Sequence, residues 1–266
     1  MKNFSFVLFV LFLLCPVCVT LGKTLPDQFN NKDVRGWIIL SDDMNAAVRT
    51  IKAAKEYDIN QLQLSHEIIH DLREIKTEKV CAQVNELVNM AHSEGINEVL
   101  LWDHSLYDID YYPERFRTGP GGTIDLDNLE FWEWLKDDYR QMLDRVSEAD
   151  GLVLTFIETG AYAERQFSKK MKSSEEKLAA VVNAISDVLI GERKKKLYIR
   201  TFAYSEEEYK GTTGCIEYLK YDEVILMMKE TPHDFFLTHP DNYYIQKMDR
   251  PVIVEFDLGN EYSGQG

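Results

Sequence analysis

Short apolar runs alternate along this chain with stretches whose apolar residues recur at helical spacing. The runs fall at 36–40 (GWIIL), 59–64, 96–102, 151–157 (GLVLTFI), 197–204, 224–228 and 251–258, and each is rich in Val, Ile, Leu and aromatic side chains. Runs of this length, bounded by polar or turn residues, predict buried strands. Between them, 44–57 carries Ala47, Val48, Ile51 and Ala54 at helical spacing, and 80–92 reads as a helix that stops at Gly95. The stretch 125–146 holds Phe131, Trp132, Trp134 and Leu135 in a long helix, and 173–190 begins Ser-Ser-Glu-Glu, a capping-box signature. A long aromatic loop, 105–123, separates the third strand from its helix. It contains Tyr107, Tyr111, Tyr112 and Phe116, and the turn-forming Gly119-Pro120-Gly121-Gly122.

Strand, helix, strand, helix predicts an α/β fold with a parallel sheet, and the repeat suits a (β/α)8 TIM-type barrel. Seven strands are expected, so the barrel reads as truncated: the chain reaches Gly266 soon after the seventh run. On that reading the piece lacks its last strand and helix, leaves two sheet edges unpaired, and should be insoluble or inactive. A Rossmann fold is disfavoured because no GxGxxG follows the first strand, and no Walker GxxxxGK[ST] occurs.

The N-terminus changes the domain picture. Lys2 precedes an almost wholly apolar stretch, 4–14, and small or polar residues follow from Pro16 to Gly22. This reads as a secretory signal peptide over 1–22, followed by a single catalytic domain over 23–266. The apolar run is short for a membrane span, so no stable insertion is expected. Cys15 and Cys18 near its end leave a lipoprotein anchor open as an alternative. The predicted localisation is therefore secreted or periplasmic. Only Cys81 and Cys215 remain beyond the leader, as one long-range disulfide or as two free thiols. The net charge of −15 argues against a nucleic-acid partner. No metal-ligand spacing such as HExxH is present, and no metal or organic cofactor is expected.

In a parallel barrel the C-terminal strand ends gather on one face, and chemistry sits there. Three acids lie at or just past such ends: Glu158, Asp234 and Glu261. Convergent carboxyl groups are what acid/base cleavage of a glycosidic bond requires. Glu158 follows Phe156 and Ile157, and partial burial there would disfavour its charged form, as suits a proton donor. Its alternative is a helix cap or a partner of Arg165. Asp103 and His104 end the third run and His66 and Glu67 the second; with Trp102 they are candidate sugar contacts, as are the loop tyrosines. Arg200 and Lys229 are candidates too, with a barrel salt bridge as the alternative for each. Glu255, in mid-strand, needs a cation such as Arg200 or Lys229 and reads as an orienting residue.

Four strings in the second half of the chain resemble the family 67 α-glucuronidases. They are 126–160 (LDNLEFWEWLKDDYRQMLDRVSEADGLVLTFIETG), 197–204 (LYIRTFAY), 223–236 (EVILMMKETPHDFF) and 254–265 (VEFDLGNEYSGQ), in the family's order and at similar spacing. The resemblance implies a secreted glycoside hydrolase that inverts the anomeric centre. Glu158 would be the general acid, Asp234 and Glu261 the pair that activates water, and Arg200 and Lys229 residues lining the sugar site. Two positions depart from the family. Leu154 stands where the family has a lysine near the substrate carboxylate, and Ala161-Tyr162-Ala163 replaces its Gln-Pro-Gly. The expected partner is an oligosaccharide or polysaccharide ending in a uronic acid or, given Leu154, in a neutral sugar. A carbohydrate-binding barrel without turnover is the alternative from outside enzymology.

Overall fold

The computed structural model describes residues 34–41, 43–203, 205–231 and 240–256. The predicted leader, Asp234 and Glu261 lie outside the described residues. The elements run β1 (Gly36–Ile39), α1 (Met44–Ala54), β2 (Gln61–Leu64), α2 (Glu78–Ser93), β3 (Glu98–His104), α3 (Leu129–Arg145), β4 (Gly151–Thr155), α4 (Ser174–Ser186), β5 (Lys196–Arg200), α5 (Glu206–Gly214), β6 (Ile225–Lys229) and β7 (Val252–Glu255). All seven strands join one parallel sheet in sequence order, β1 to β7. This is the α/β architecture predicted, a curled sheet consistent with part of a TIM-like barrel.

Side chains reaching across the sheet show the curl. Strands β2 and β5 are three places apart, about 14 Å on a flat sheet. Yet the Gln61 amide donates to the Tyr198 hydroxyl at 3.2 Å. Alternate residues therefore face two different interiors. Leu100, Trp102, Val153, Tyr198 and Met227 fill the concave side. Val99, Leu101, Leu152, Leu154, Leu197 and Ile199 belong to the larger core under the helices. Gly151 is required where β4 meets β5, because a Cβ there would sit 2.2 Å from the Lys196 carbonyl oxygen.

The helices carry their own start signals. Asp43 caps α1 by accepting from the Asn45 N–H at 2.9 Å, and Ala47, Ile51 and Ala54 give it a buried stripe. Ser173 and Glu176 form the predicted capping box of α4. No helix among the described residues is long and apolar enough to cross a membrane.

Helix α5 lies between β5 and β6, in a stretch to which the sequence reading assigned neither helix nor strand. Its sequence, EEEYKGTTG, has one large apolar residue and two glycines, so it lacks an amphipathic stripe. Ser205 caps it, its opening glutamates complement the helix dipole, and burial of Tyr209 holds it. The aromatic loop, expected to touch sugar or cover the barrel mouth, is largely core: Tyr107, Tyr112 and Phe116 are buried, and Tyr112 and Phe116 pack edge-on against Phe131 of α3. Cys81 and Cys215 are free thiols, and burial pushes the Cys215 thiol up to about 12.

Candidate functional site

The C-terminal ends of the strands place a polar group at nearly every concave position. His104 ends β3, Thr155 ends β4 beside it in register, and Arg200 ends β5 beside Thr155. Lys229 ends β6 level with Glu255 at the end of β7. All five are buried. Period-two alternation selects them, since each lies an even number of residues from a concave core residue: His104 from Trp102, Thr155 from Val153, Arg200 from Tyr198, Lys229 from Met227.

Arg200 braces the far side. Its Nε and Nη2 donate to the two oxygens of Glu255 at 2.7 and 2.6 Å, a bidentate pair. Its guanidinium lies over the Trp102 and Phe202 rings at 4.9 and 4.8 Å, and the Lys229 ammonium stands 3.7 Å from the centre of Phe202. Glu255, which ends β7 and is not in mid-strand as expected, thus has the cation partner that its burial demands. Trp102 is not an open stacking surface. Its ring is buried between Arg200 and His66, at 5.1 Å from the latter, and its indole N–H donates to Gln63 at 2.9 Å.

Two backbone distortions stand at the rim. His66, just past β2, has φ +50°, and Glu158, just past β4, has φ +58°. Among the described residues the other non-glycine ones with positive φ, Asp58 and Lys194, follow helical turns, where a left-handed residue is an ordinary stop. His66 and Glu158 end no helix, and each left-handed residue costs about 1–2 kcal/mol. The Glu158 turn is held from behind: the Thr159 hydroxyl donates to the Leu106 carbonyl, and a Cβ on Gly160 would lie 2.4 Å from Asp108. Strain kept in place by such contacts is a mark of functional sites.

Both residues are solvent-exposed. The partial burial expected of Glu158 among Phe156 and Ile157 is therefore corrected: those two side chains are buried, while the carboxylate-bearing one stands out at the rim. His66 is held below the ordinary histidine range, by burial of its inner side first and then by the positive charges of Arg200 and His70, with Glu158 pulling the other way. It shares a hydrogen bond with the Ser65 hydroxyl at 2.5 Å. Thr155 Oγ1, between His104 and Arg200, is buried without a hydrogen-bond partner among the described residues.

Asp103 is corrected. It alternates to the helix side, where it is wholly buried and accepts from the Leu72 N–H (2.9 Å), the Tyr107 hydroxyl (2.8 Å) and the Tyr139 hydroxyl (2.6 Å). It joins β3 to its helices and does not line the mouth. Leu154 likewise belongs to the outer core, so it leaves no gap in the site. Glu67 is exposed one residue beyond His66. Sequence reading missed Asp71 and His70. Asp71 accepts from His104 Nδ1 at 2.9 Å, and the His70 ring lies 4.1 Å from that of His104. Their only signal was closeness to the second strand end, in a loop without periodicity. A cavity of about 250 Å³ lies beside the Glu158 turn, lined by Phe156, Ile157, Tyr162, Glu164 and Arg165 among others.

No family model matches the chain, and no curated protein matches it. Among solved structures it is similar to one titled "Structure of CpGH84B", a glycoside hydrolase family 84 enzyme. The TM-score is 0.50 at 14% identity, over 74% of this chain and 33% of that one. The chain thus spans about a third of that structure's length. At this identity the likeness is one of fold.

Proposed function

We propose that the protein is a glycoside hydrolase working at the C-terminal mouth of its curled sheet, with Glu158 as proton donor to the leaving oxygen. The observation that carries this is the Glu158 turn: an exposed carboxylate on a left-handed backbone, pinned at the end of β4. On the same strand-end face, His66, His104, Arg200 and Lys229 supply hydrogen-bonding groups of the kind that hold sugar hydroxyls. The fold likeness to a glycosidase and the four family-like strings support the same class.

In this reading Asp234 and Glu261 activate the water, and the anomeric centre inverts, which calls for acid and base about 6.5–9.5 Å apart. The substrate is a terminal sugar of a plant or algal polysaccharide fragment, met outside the cytoplasm after export directed by residues 1–22. A terminal uronic acid is the favoured ring, because Lys229 is a buried cation on the concave face and Leu154 is not part of that face. No metal or organic cofactor takes part in the glycosidic step itself.

The test is sugar release by the full chain from uronic-acid-capped and neutral-capped oligosaccharides, wild type beside Glu158→Gln. The substitution removes the transferable proton and little volume, so release should fall about 10²–10⁴-fold with binding kept. Release from neutral caps alone would keep the mechanism and move the substrate. Binding without release by wild type would make the protein a carbohydrate-binding barrel.

A further inference from the structure

The ends of β2 and β3 hold a second group of side chains, of which the proposed sugar site uses only His104. His70 and Asp71 follow β2, and His104 ends β3. Each offers a ligand atom, and these atoms all lie within 4.8 Å of one another. We propose that His70, Asp71 and His104 form a binding site for a divalent transition-metal ion of the zinc class, opening onto the mouth.

The spacing fits an ion. Ligands about 2.1 Å from one centre lie about 3.0 Å apart at an octahedral right angle and about 3.4 Å apart in a tetrahedron. His104 Nδ1 and Asp71 Oδ1 stand 2.9 Å apart, a pair already at the separation of adjacent ligands. That pair is buried, and the ladder of β3 fixes one member of it. His70 is exposed, and its ring centre lies 4.1 Å from that of His104, with the planes tilted by 32°. Rotation of this surface side chain toward the buried pair would close the set to coordination distance.

The charges fit as well. The Asp71 side chain accepts from His104 Nδ1 through Oδ1 and is held from its other side by Arg73. Arg73 takes the other oxygen, Oδ2, at 2.9 Å and is itself matched by Asp108 at 2.9 Å. Oδ1 is thereby aimed at His104 and His70. An ion would replace the His104 proton on Oδ1, while Arg73 would remain as an outer partner orienting the carboxylate. Two imidazoles and one carboxylate suit zinc, nickel or copper better than magnesium or calcium. Three protein ligands leave a position open for water or for neighbouring sugar hydroxyls.

The inference does not depend on glycoside cleavage, and binding is its readout. The full chain, without a histidine tag, is titrated with Co²⁺ and followed by its visible absorption; Zn²⁺ is then added as competitor. One equivalent of Co²⁺ should bind and be displaced by Zn²⁺. His70→Ala should weaken binding at least about a hundredfold, since even the loss of an outer partner costs 10–100-fold. His104→Ala should abolish it. His104 is buried and its variant is checked by circular dichroism; His70 is exposed, so its variant reports even where the other misfolds. No stoichiometric uptake by wild type, or unchanged affinity in His70→Ala, would overturn the proposal.

Discussion

The two ends of the concave face use similar side chains in opposite ways. At the N-terminal floor, Glu98 accepts from the Gln61 amide at 2.7 Å, the Tyr198 hydroxyl at 2.6 Å and the Lys196 ammonium, and Gln63 donates to Gln61 at 3.0 Å. Every polar group in that knot has a partner. At the C-terminal mouth, His66 and Glu158 hold left-handed backbones, and Thr155 Oγ1 has no partner among the described residues. The floor is arranged for stability. The mouth keeps strain and spare hydrogen-bonding capacity, as a site that must receive a ligand does.

The floor should therefore give the largest stability loss. Glu98→Ala leaves the buried Tyr198 O–H and one N–H of the Gln61 amide without acceptors, and each orphaned donor costs about 1–3 kcal/mol. Lys196 is half in solvent and adds little. A loss of about 3–5 kcal/mol is expected, read as a drop in the urea midpoint at unchanged slope. A change below about 1 kcal/mol would break the contrast between the two ends.

How much of this contrast was legible in the sequence differs from strand to strand. The seven runs announced the strands because parallel strands are apolar on both faces. That same feature hid which face each residue takes. In β3 both Asp103 and His104 are polar, and nothing in the string says that His104 faces the mouth while Asp103 bonds to Tyr139 of α3. Only the packing of Val99 and Leu101 outward and of Leu100 and Trp102 inward decides it. Leu154 misled for the same reason: its neighbour Thr155 is the concave residue. Glu158 was visible as an acid after an apolar run, whereas its φ, and its hold through Thr159 and Gly160, depend on the loop after β3, remote in sequence. Helix α5 was illegible because it is stabilised by its cap and by Tyr209 meeting Asn242, and not by a stripe.

Asp103 supplies a pH test that separates the outer layer from the mouth. Burial pushes its carboxyl up to about 6, against the pull of its three hydrogen-bond donors, from an ordinary 3.8. Between those values the folded chain holds a proton that the unfolded chain has released. Stability should then be greatest below about pH 4 as far as this group is concerned, and decline as pH rises to about 6, by roughly 2–3 kcal/mol in total. Asp103→Asn should flatten that decline in unfolding midpoints measured across the range, and should leave sugar binding unchanged. Altered sugar binding would return Asp103 to the mouth.

The smallest effect is the most discriminating, because its sign is opposite to that at the floor. Glycine adopts φ +58° without the steric penalty that a side chain meets there. Glu158→Gly should therefore stabilise the protein by about 1 kcal/mol, after the entropy that glycine gains in the unfolded chain is subtracted. The same substitution should abolish sugar release, since no carboxyl remains at the rim. Gain of stability with loss of activity is the pairing expected where a fold holds strain for a reacting group. Glu158→Ala separates the two causes: it removes the carboxyl and keeps the strain, so it should be inactive with a melting temperature close to wild type. Were Glu158→Gly destabilising instead, the carboxylate would be contributing more to its surroundings than the backbone distortion costs, and the mouth would be a second braced end of the sheet.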